Sequence, residues 1–145
     1  MKYASFLAAL AATSAAAMPN SLHKRECHGS GETWGAEKFK AIQTVQELCD
    51  GQINGPFNTN GQYIRRCVNL SSNKKMDLFV RYDEGQFDGV TRYIDKEDCV
   101  GYLQREINGC EHGGRTTYER TVTPGKVTVS SADSVRADPN SGNCA

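Results

Sequence analysis

The chain has 145 residues, and its 17 basic and 17 acidic side chains give a formal net charge of zero. Three of the basic residues and no carboxylate lie in the first 25 residues, so residues 26–145 carry 14 basic against 17 acidic side chains. This length predicts one domain, and the mildly acidic body argues against nucleic-acid binding by bulk charge. The apolar fraction is only 38%, which predicts a thin core that needs covalent support.

The first 17 residues have the pattern of a secretory signal peptide. A short positive start, Met1-Lys2, precedes an apolar run that ends in the small-x-small pattern of a signal-peptidase site, with Ala17 as its last residue. The alternative is an uncleaved membrane anchor, but a spanning helix needs about 20 strongly apolar residues and this run is shorter and mostly alanine. We therefore expect a secreted, extracellular protein without a membrane span.

A dibasic pair, Lys24-Arg25, follows shortly after that segment. Such a pair is typical of sites cut by fungal Kex-type processing proteases. Cleavage after Arg25 would make residues 18–25 a short pro-segment and residues 26–145 the mature domain. The alternative interpretation is an ordinary exposed Lys-Arg pair.

Two helices and several strands are predicted in the mature region. A helix is predicted from Trp34 to Cys49, because apolar residues recur at three- and four-residue spacing on one face: Ala36, Phe39, Ile42, Val45 and Cys49. Alternating patterns over residues 62–70 and 75–82, separated by a polar turn, predict a β-hairpin. In the second of these strands, Phe79 falls among the polar alternating positions.

The second half of the chain continues this mixed pattern. Asp95 is placed to cap a helix that ends at Asn108-Gly109. Residues 115–122 and 127–129 are strand candidates, and residues 138–142 have the composition of a turn. The fold class expected is therefore α+β: a small single domain with an antiparallel sheet of about four or five strands, two packed helices and three disulfides.

An even number of cysteines in a small secreted domain predicts disulfides. A metal site is the weaker alternative, because no Cys-x-x-Cys pair is present. The sequence leaves 15 pairings open. Helix faces favour one of them, in which Cys49 joins Cys99, the tail is held by Cys110–Cys144, and Cys27 is left with Cys67. The six cysteines are Cys27, Cys49, Cys67, Cys99, Cys110 and Cys144.

Motifs for catalysis are largely absent, and we expect no enzyme, no cofactor and no metal. The one catalytic hypothesis is a small secreted ribonuclease. Residues 82–87 resemble the Tyr-x-x-Glu-Gly-Phe segment of fungal ribonucleases, which would make Glu84 a base, with Arg81, Arg92 and His112 completing the set. The alternative is that Glu84 belongs to an ordinary hairpin end and His112 to an exposed loop.

Several segments resemble the fungal secreted proteins of the Y-three-like glycan-binding family. They are Cys27-His-Gly-Ser-Gly-Glu-Thr-Trp-Gly35, Cys99 at a helix start, Gly109-Cys110 followed by Gly113-Gly114, and Arg136-Ala-Asp-Pro-Asn-Ser-Gly-Asn-Cys144. The resemblance implies helices on an antiparallel sheet and non-catalytic recognition of glycans or glycoproteins, with a homodimer as its oligomeric form. Its motifs consist mainly of cysteine, glycine and turn residues, which specify a scaffold.

Candidate glycan-binding residues follow from chemistry, because sugars stack on aromatic rings and exchange hydrogen bonds with polar side chains. They are Trp34, Tyr82, Asp138 and Asn140. For each residue a structural role is the alternative: core packing for Trp34, a half-buried strand position for Tyr82, and turn formation for Asp138 and Asn140.

Two further predictions concern the secreted protein as a whole. A secreted effector or toxin that acts on host or competitor cells is the competing class of function, and a glycan-binding protein can also serve that role. Asn69-Leu70-Ser71 is an N-glycosylation acceptor sequence, for which an unused exposed turn is the alternative.

Overall fold

A computed structural model describes residues 23–84, 92–122 and 129–145. The predicted signal peptide, most of the pro-segment and residues 85–87 of the ribonuclease-like segment lie outside these ranges. The strands are β1 (His23–Cys27), β2 (Gly55–Phe57), β3 (Tyr63–Asn69), β4 (Lys74–Glu84), β5 (Arg92–Ile94), β6 (Gly114–Val122) and β7 (Val129–Ser141). The helices are α1 (Lys38–Leu48), preceded by a 3-10 turn at Gly35–Glu37, and α2 (Lys96–Gly109).

The predicted α+β fold is confirmed. Five strands form an antiparallel sheet in the order β1-β6-β7-β4-β3, and β2 pairs with β5 in a separate two-stranded sheet. The helices pack on one face of the larger sheet, with α2 in contact with β6 and β7. None of the helices in the described ranges is both long enough and apolar enough to cross a membrane.

The predicted hairpin of β3 and β4 is present, and its alternation creates the main core surface. Met76, Leu78, Val80 and Tyr82 of β4 are buried beneath the helices. The residues between them point to the opposite face, because successive strand residues alternate sides. We call this second side of the five-stranded sheet the outer face.

Both predicted helices are present; α2 begins directly after its predicted cap, whereas α1 begins at Lys38, four residues later than predicted, because residues 35–37 form a 3-10 turn. Asp95 caps α2, and its Oδ1 accepts a hydrogen bond from the backbone N–H of Asp98 at 2.7 Å. The predicted apolar face of α1 is partly wrong, because Phe39 is 69% exposed. Val45 and Cys49 are buried as predicted, and Ala41 and Leu48 complete the buried face.

The three predicted disulfides are present, but two of the favoured pairings are wrong. Cys49 joins Cys99 and so links the two helices, as expected. Cys27 pairs with Cys110, and the tail is held by Cys67–Cys144. The reason is the sheet order, which brings Cys27 at the end of β1 beside Gly114 of β6, a strand that begins just after Cys110.

One further correction concerns the segment predicted to be a turn. Residues 138–141 are not a turn but the last part of β7, where Asp138 pairs with Asp77 and Pro139 with Met76 of β4. Proline is tolerated there because pairing with β6 ends at Ala137, so only one neighbouring strand needs hydrogen bonds. The dibasic pair lies in β1, where Lys24 pairs with Thr117 and Arg25 with Thr116.

Candidate functional site

The two aromatic glycan-binding candidates lie in the core. Trp34 is 1% exposed, and its Nε1 donates to the backbone oxygen of Cys110 at 2.8 Å. Tyr82 is also buried, on the helix side of β4. Neither ring presents a surface to a sugar in this structure, so the structural alternative applies to both.

Asp138 and Asn140 both lie on the outer face of β7. Asn140 donates to Asp77 Oδ2 at 2.9 Å, and Asp138 Oδ1 is 3.9 Å from His28 Nε2. Both side chains are half-buried. The structure therefore separates the two polar candidates from the two aromatic ones by the thickness of the sheet.

An aromatic pair that the sequence interpretation did not select lies on the outer face. The rings of Tyr63 on β3 and Phe79 on β4 stack with centroids 5.5 Å apart and an interplanar angle of 28°. Tyr63 remains 58% exposed. An exposed ring held against a second ring on a sheet is a rigid platform of the kind on which sugars stack.

Cationic side chains surround this aromatic pair in two neighbouring rows across the sheet. One row runs through Arg65, Phe79, Arg136, Arg115 and Glu26, and the other through Tyr63, Arg81, Ser134, Thr117 and Lys24. We call these two rows the cationic band. It contains five cations and one carboxylate, although the domain as a whole is slightly acidic.

Three of the five cations in the band form ion pairs, and they share two carboxylates. Arg81 Nη2 is 2.7 Å from Asp83 Oδ1, and Glu26 lies 3.3 Å from Arg115 and 3.1 Å from Lys24. Lys24 and Arg115 lower the pKa of Glu26, with the hydrogen bond from Lys24 as the largest cause. In the described part of the chain, neither Arg65 nor Arg136 forms an ion pair with a carboxylate.

The residues of the ribonuclease hypothesis do not converge. Glu84 pairs with Ser131 of β7, whereas Gly113, next to His112, lies against Ala137. Those two β7 positions are six residues apart, or roughly 20 Å along an extended strand. The backbone positions of Glu84 and His112 are therefore far too distant for a shared reaction centre.

The remaining members of that set have structural partners. Arg92 binds Asp133 Oδ2 at 3.0 Å and Asp98 Oδ2 at 3.2 Å, and so ties β5 to β7 and α2. Arg81 points to the outer face beside Asp83. His112 is half-buried rather than fully exposed, and its Nδ1 lies 3.0 Å from the backbone oxygen of Gly31.

Glu106 of α2 is a buried carboxyl group on the helix side of the sheet. The hydroxyl of Thr116 donates to its Oε1 at 2.5 Å, and Arg25 Nε lies 3.8 Å from the same oxygen. Among the described residues, Oε2 has no hydrogen-bond partner. Burial raises the pKa of Glu106, although the bond from Thr116 and the charge of Arg25 oppose that shift.

A second charged cluster positions the segment that leads into α1. Lys74 Nζ donates to the backbone oxygen of Thr33 at 2.9 Å and lies 3.1 Å from Glu37 and 3.3 Å from Glu32. Burial opposes the charged form of Lys74, but hydrogen bonds to Glu37 and Glu32 outweigh it and raise the pKa of Lys74. This cluster is a structural clamp at the end of the sheet.

Asn69 is exposed at the end of β3, and its side-chain oxygen accepts a hydrogen bond from the backbone N–H of Cys144 at 2.7 Å. N-glycosylation at Asn69 stays a prediction. In the described ranges, no group of three or more His, Cys, Asp or Glu side chains is arranged to hold a metal ion.

Comparison with known proteins adds no family assignment. No protein-family model matches the chain, and no curated protein matches it. The resemblance to the Y-three-like proteins thus rests on the residues quoted above. The outer face, with its aromatic pair, its cationic band and Asp138 and Asn140, is the strongest candidate site.

Proposed function

We propose that this chain is a secreted, non-catalytic glycan-binding protein and that the outer face is its binding surface. The observation that carries the proposal is the stacked Tyr63–Phe79 pair on the outer face. The Y-three-like resemblance points to the same class of function. The three disulfides support the extracellular part of the proposal, because such bonds persist in oxidising compartments.

The polar groups beside the aromatic pair suit a carbohydrate. Arg136 pairs across the strands with Phe79, and Asp138 lies two residues further along the same face of β7. A sugar hydroxyl both donates and accepts hydrogen bonds, so it can accept one from the arginine and donate one to the carboxylate. The hydroxyl groups of Ser134 and Thr117 lie 3.3 Å apart on the same face, and each can donate or accept a hydrogen bond.

The chain offers a matched pair of variants to test this surface. Tyr63 and Tyr93 are 58% and 60% exposed, but Tyr93 lies on β5 of the separate two-stranded sheet. On a glycan array, we expect the wild-type protein to give a competable signal that falls about tenfold in Tyr63→Ala and is unchanged in Tyr93→Ala.

A flat array with folded wild-type protein contradicts the proposal. Equal losses in the two tyrosine variants contradict the assignment of the surface. The homodimer belongs to the same proposal and is tested by sedimentation of the secreted protein. The competing effector role is tested by applying the protein to host cells. If it kills them or triggers a defence response, and free sugar blocks that effect, the effector role depends on glycan binding.

A further inference from the structure

Two arginines of the outer face that form no ion pair within the described residues lie on either side of Phe79. Arg65 and Arg136 are the cross-strand neighbours of Phe79 on β3 and β7. Their backbones are two strand spacings apart, or roughly 10 Å, which two long side chains can close around one small group. Their guanidinium groups are therefore placed to donate hydrogen bonds to a ligand that stacks on Tyr63.

The charge arrangement around Arg136 is unfavourable for the protein alone. Arg136 lies directly opposite Arg115 on β6. Like charges directly opposite each other in an antiparallel pair are destabilising. Arg115 forms an ion pair with Glu26 on the neighbouring strand β1, at 3.3 Å. Among the described residues, no carboxylate pairs with Arg136. An anionic ligand group would supply the missing counter-charge.

Carboxylates border the cationic band on both sides. Asp77 and Asp138 form the row beyond Arg65 and Arg136, and Asp83 and Glu119 lie in the row beyond Arg81 and Thr117. A nucleic-acid backbone offers phosphates but few hydroxyl groups, so it has little to donate to these bordering carboxylates. A sugar chain with acidic groups can place those groups on the band and donate its hydroxyls to the bordering carboxylates.

We propose that the outer face recognises acidic glycans, and that Arg65 and Arg136 hold a carboxylate or sulfate group of a sugar whose ring packs on Tyr63. This inference rests on the proposed glycan-binding function and specifies its ligand class. Guanidinium groups bind carboxylate and sulfate oxygens through charge-assisted hydrogen bonds, which are stronger than hydrogen bonds to neutral hydroxyls. The band therefore favours acidic over neutral sugars.

The test is a titration of the purified secreted protein with four probes. They are polygalacturonate, which carries carboxylates, heparin, which also carries sulfates, a neutral chitin oligosaccharide and a single-stranded oligonucleotide. We expect at least one acidic glycan to bind about tenfold more tightly than the neutral one, and to lose about tenfold in affinity in Arg136→Gln or Arg65→Gln. The polygalacturonate and heparin titrations distinguish carboxylate from sulfate.

Arg66→Gln is the matched control, because Arg66 follows Arg65 on β3 but lies on the other side of the strand and donates to the backbone oxygen of Arg65. Its affinity should equal that of the wild type. Thermal unfolding of each variant checks that the fold is retained.

Four outcomes overturn the inference. If the oligonucleotide binds as tightly as the acidic glycans, the band is a general polyanion surface. If Arg66→Gln weakens binding as much as Arg136→Gln, the effect is bulk charge. If neutral sugars bind as tightly as acidic ones and require Tyr63, the acidic class is wrong while the proposed function stands; if no sugar binds, both fail.

Discussion

Arg25 is the counter-ion of the buried Glu106, so its loss should destabilise the fold in a pH-dependent way. Arg25→Gln removes the guanidinium group that lies 3.8 Å from Glu106 Oε1, and it also destroys the dibasic pair. Lys24→Gln is the matched control, because it destroys the same pair but leaves Arg25 in place. Lys24 points to the outer face and is 82% exposed.

The size of the effect follows from the charge separation. Two unit charges about 4 Å apart attract by roughly 1 kcal/mol in water and by roughly 4 kcal/mol at an effective dielectric constant near 20. Arg25 is 38% exposed, so solvent screens the pair and the lower end of this range applies. We expect Arg25→Gln to lower the free energy of unfolding by about 1 kcal/mol at neutral pH.

The sign of the pH dependence comes from the direction of the pKa shift. Burial raises the pKa of Glu106 in the folded protein above its ordinary value of 4.5. Between these two pKa values the folded state holds the proton more tightly, so the free energy of unfolding falls as pH rises through this window. Arg25→Gln raises the folded pKa further, which deepens the fall, while below pH 4.5 the contribution of this carboxyl group is the same in both proteins.

Urea unfolding of the wild type, Arg25→Gln and Lys24→Gln, all not cleaved after Arg25, at about pH 4 and about pH 8 measures the effect. The same substitutions in a Glu106→Gln background complete a double-mutant cycle, in which the cost of losing Arg25 should no longer depend on pH. The reasoning is refuted if Arg25→Gln is equally destabilising at both pH values. It is also refuted if the pH dependence of that cost survives in the Glu106→Gln background.

Three further predictions concern stability. Asp95→Ala should lower the free energy of unfolding by about 1 kcal/mol, because it removes the N-cap of α2, and Asp95→Asn should restore most of the loss in urea unfolding. Replacing both Cys49 and Cys99 by alanine opens a loop with a sequence separation of 50, which should cost about 4 kcal/mol; a change well below 1 kcal/mol would contradict the chain-entropy account. Hydrogen bonds from Ser141 and then Lys74 lower the pKa of Glu32, and the hydrogen bond from Lys74 lowers the pKa of Glu37, so acid should destabilise the wild type as these groups protonate. Thermal melts of Lys74→Met should show a smaller loss of stability in acid, and an unchanged loss would argue against the clamp.

Local pattern was sufficient to predict the hairpin, the presence of both helices and the start of α2. The alternation in β4 and the capping residue Asp95 act over a few residues, so they can be read without knowing the rest of the fold. The pairing of β1 with β6 joins residues about ninety positions apart. No local pattern reports such a contact, which is why the disulfide of Cys27 was assigned to the wrong partner.

β7 was largely missed for a chemical reason. Residues 130–137 are mostly small or polar, with Val135 as their only β-branched aliphatic side chain, so their strand propensity is low. Pairing with β4 on one side and β6 on the other overrides this preference. The proline and glycine near the end of the strand then suggested a turn at Asp138 and Asn140, which are strand residues in the fold.

One feature of the sequence does point to the candidate surface, namely an aromatic residue among the polar positions of β4. Phe79 alternates with Asp77 and Arg81, which is an unusual place for an aromatic ring if that side of the strand is only solvated. Tyr63 and Arg65 share a side of β3 by the same rule. Their meeting with Arg136 depends on strand order and register, so it could not be predicted from spacing alone.

The placement of the disulfides determines how the sheet can come apart. β1 and β3 are its two edge strands, and each carries one disulfide, Cys27–Cys110 and Cys67–Cys144. Strands usually peel from a sheet at its edges, where only one neighbour holds them. Because a disulfide holds each edge strand, neither edge of the sheet can separate freely from its neighbouring strand. Reduction of these two disulfides would therefore allow β1 and β3 to detach before the central strands separate.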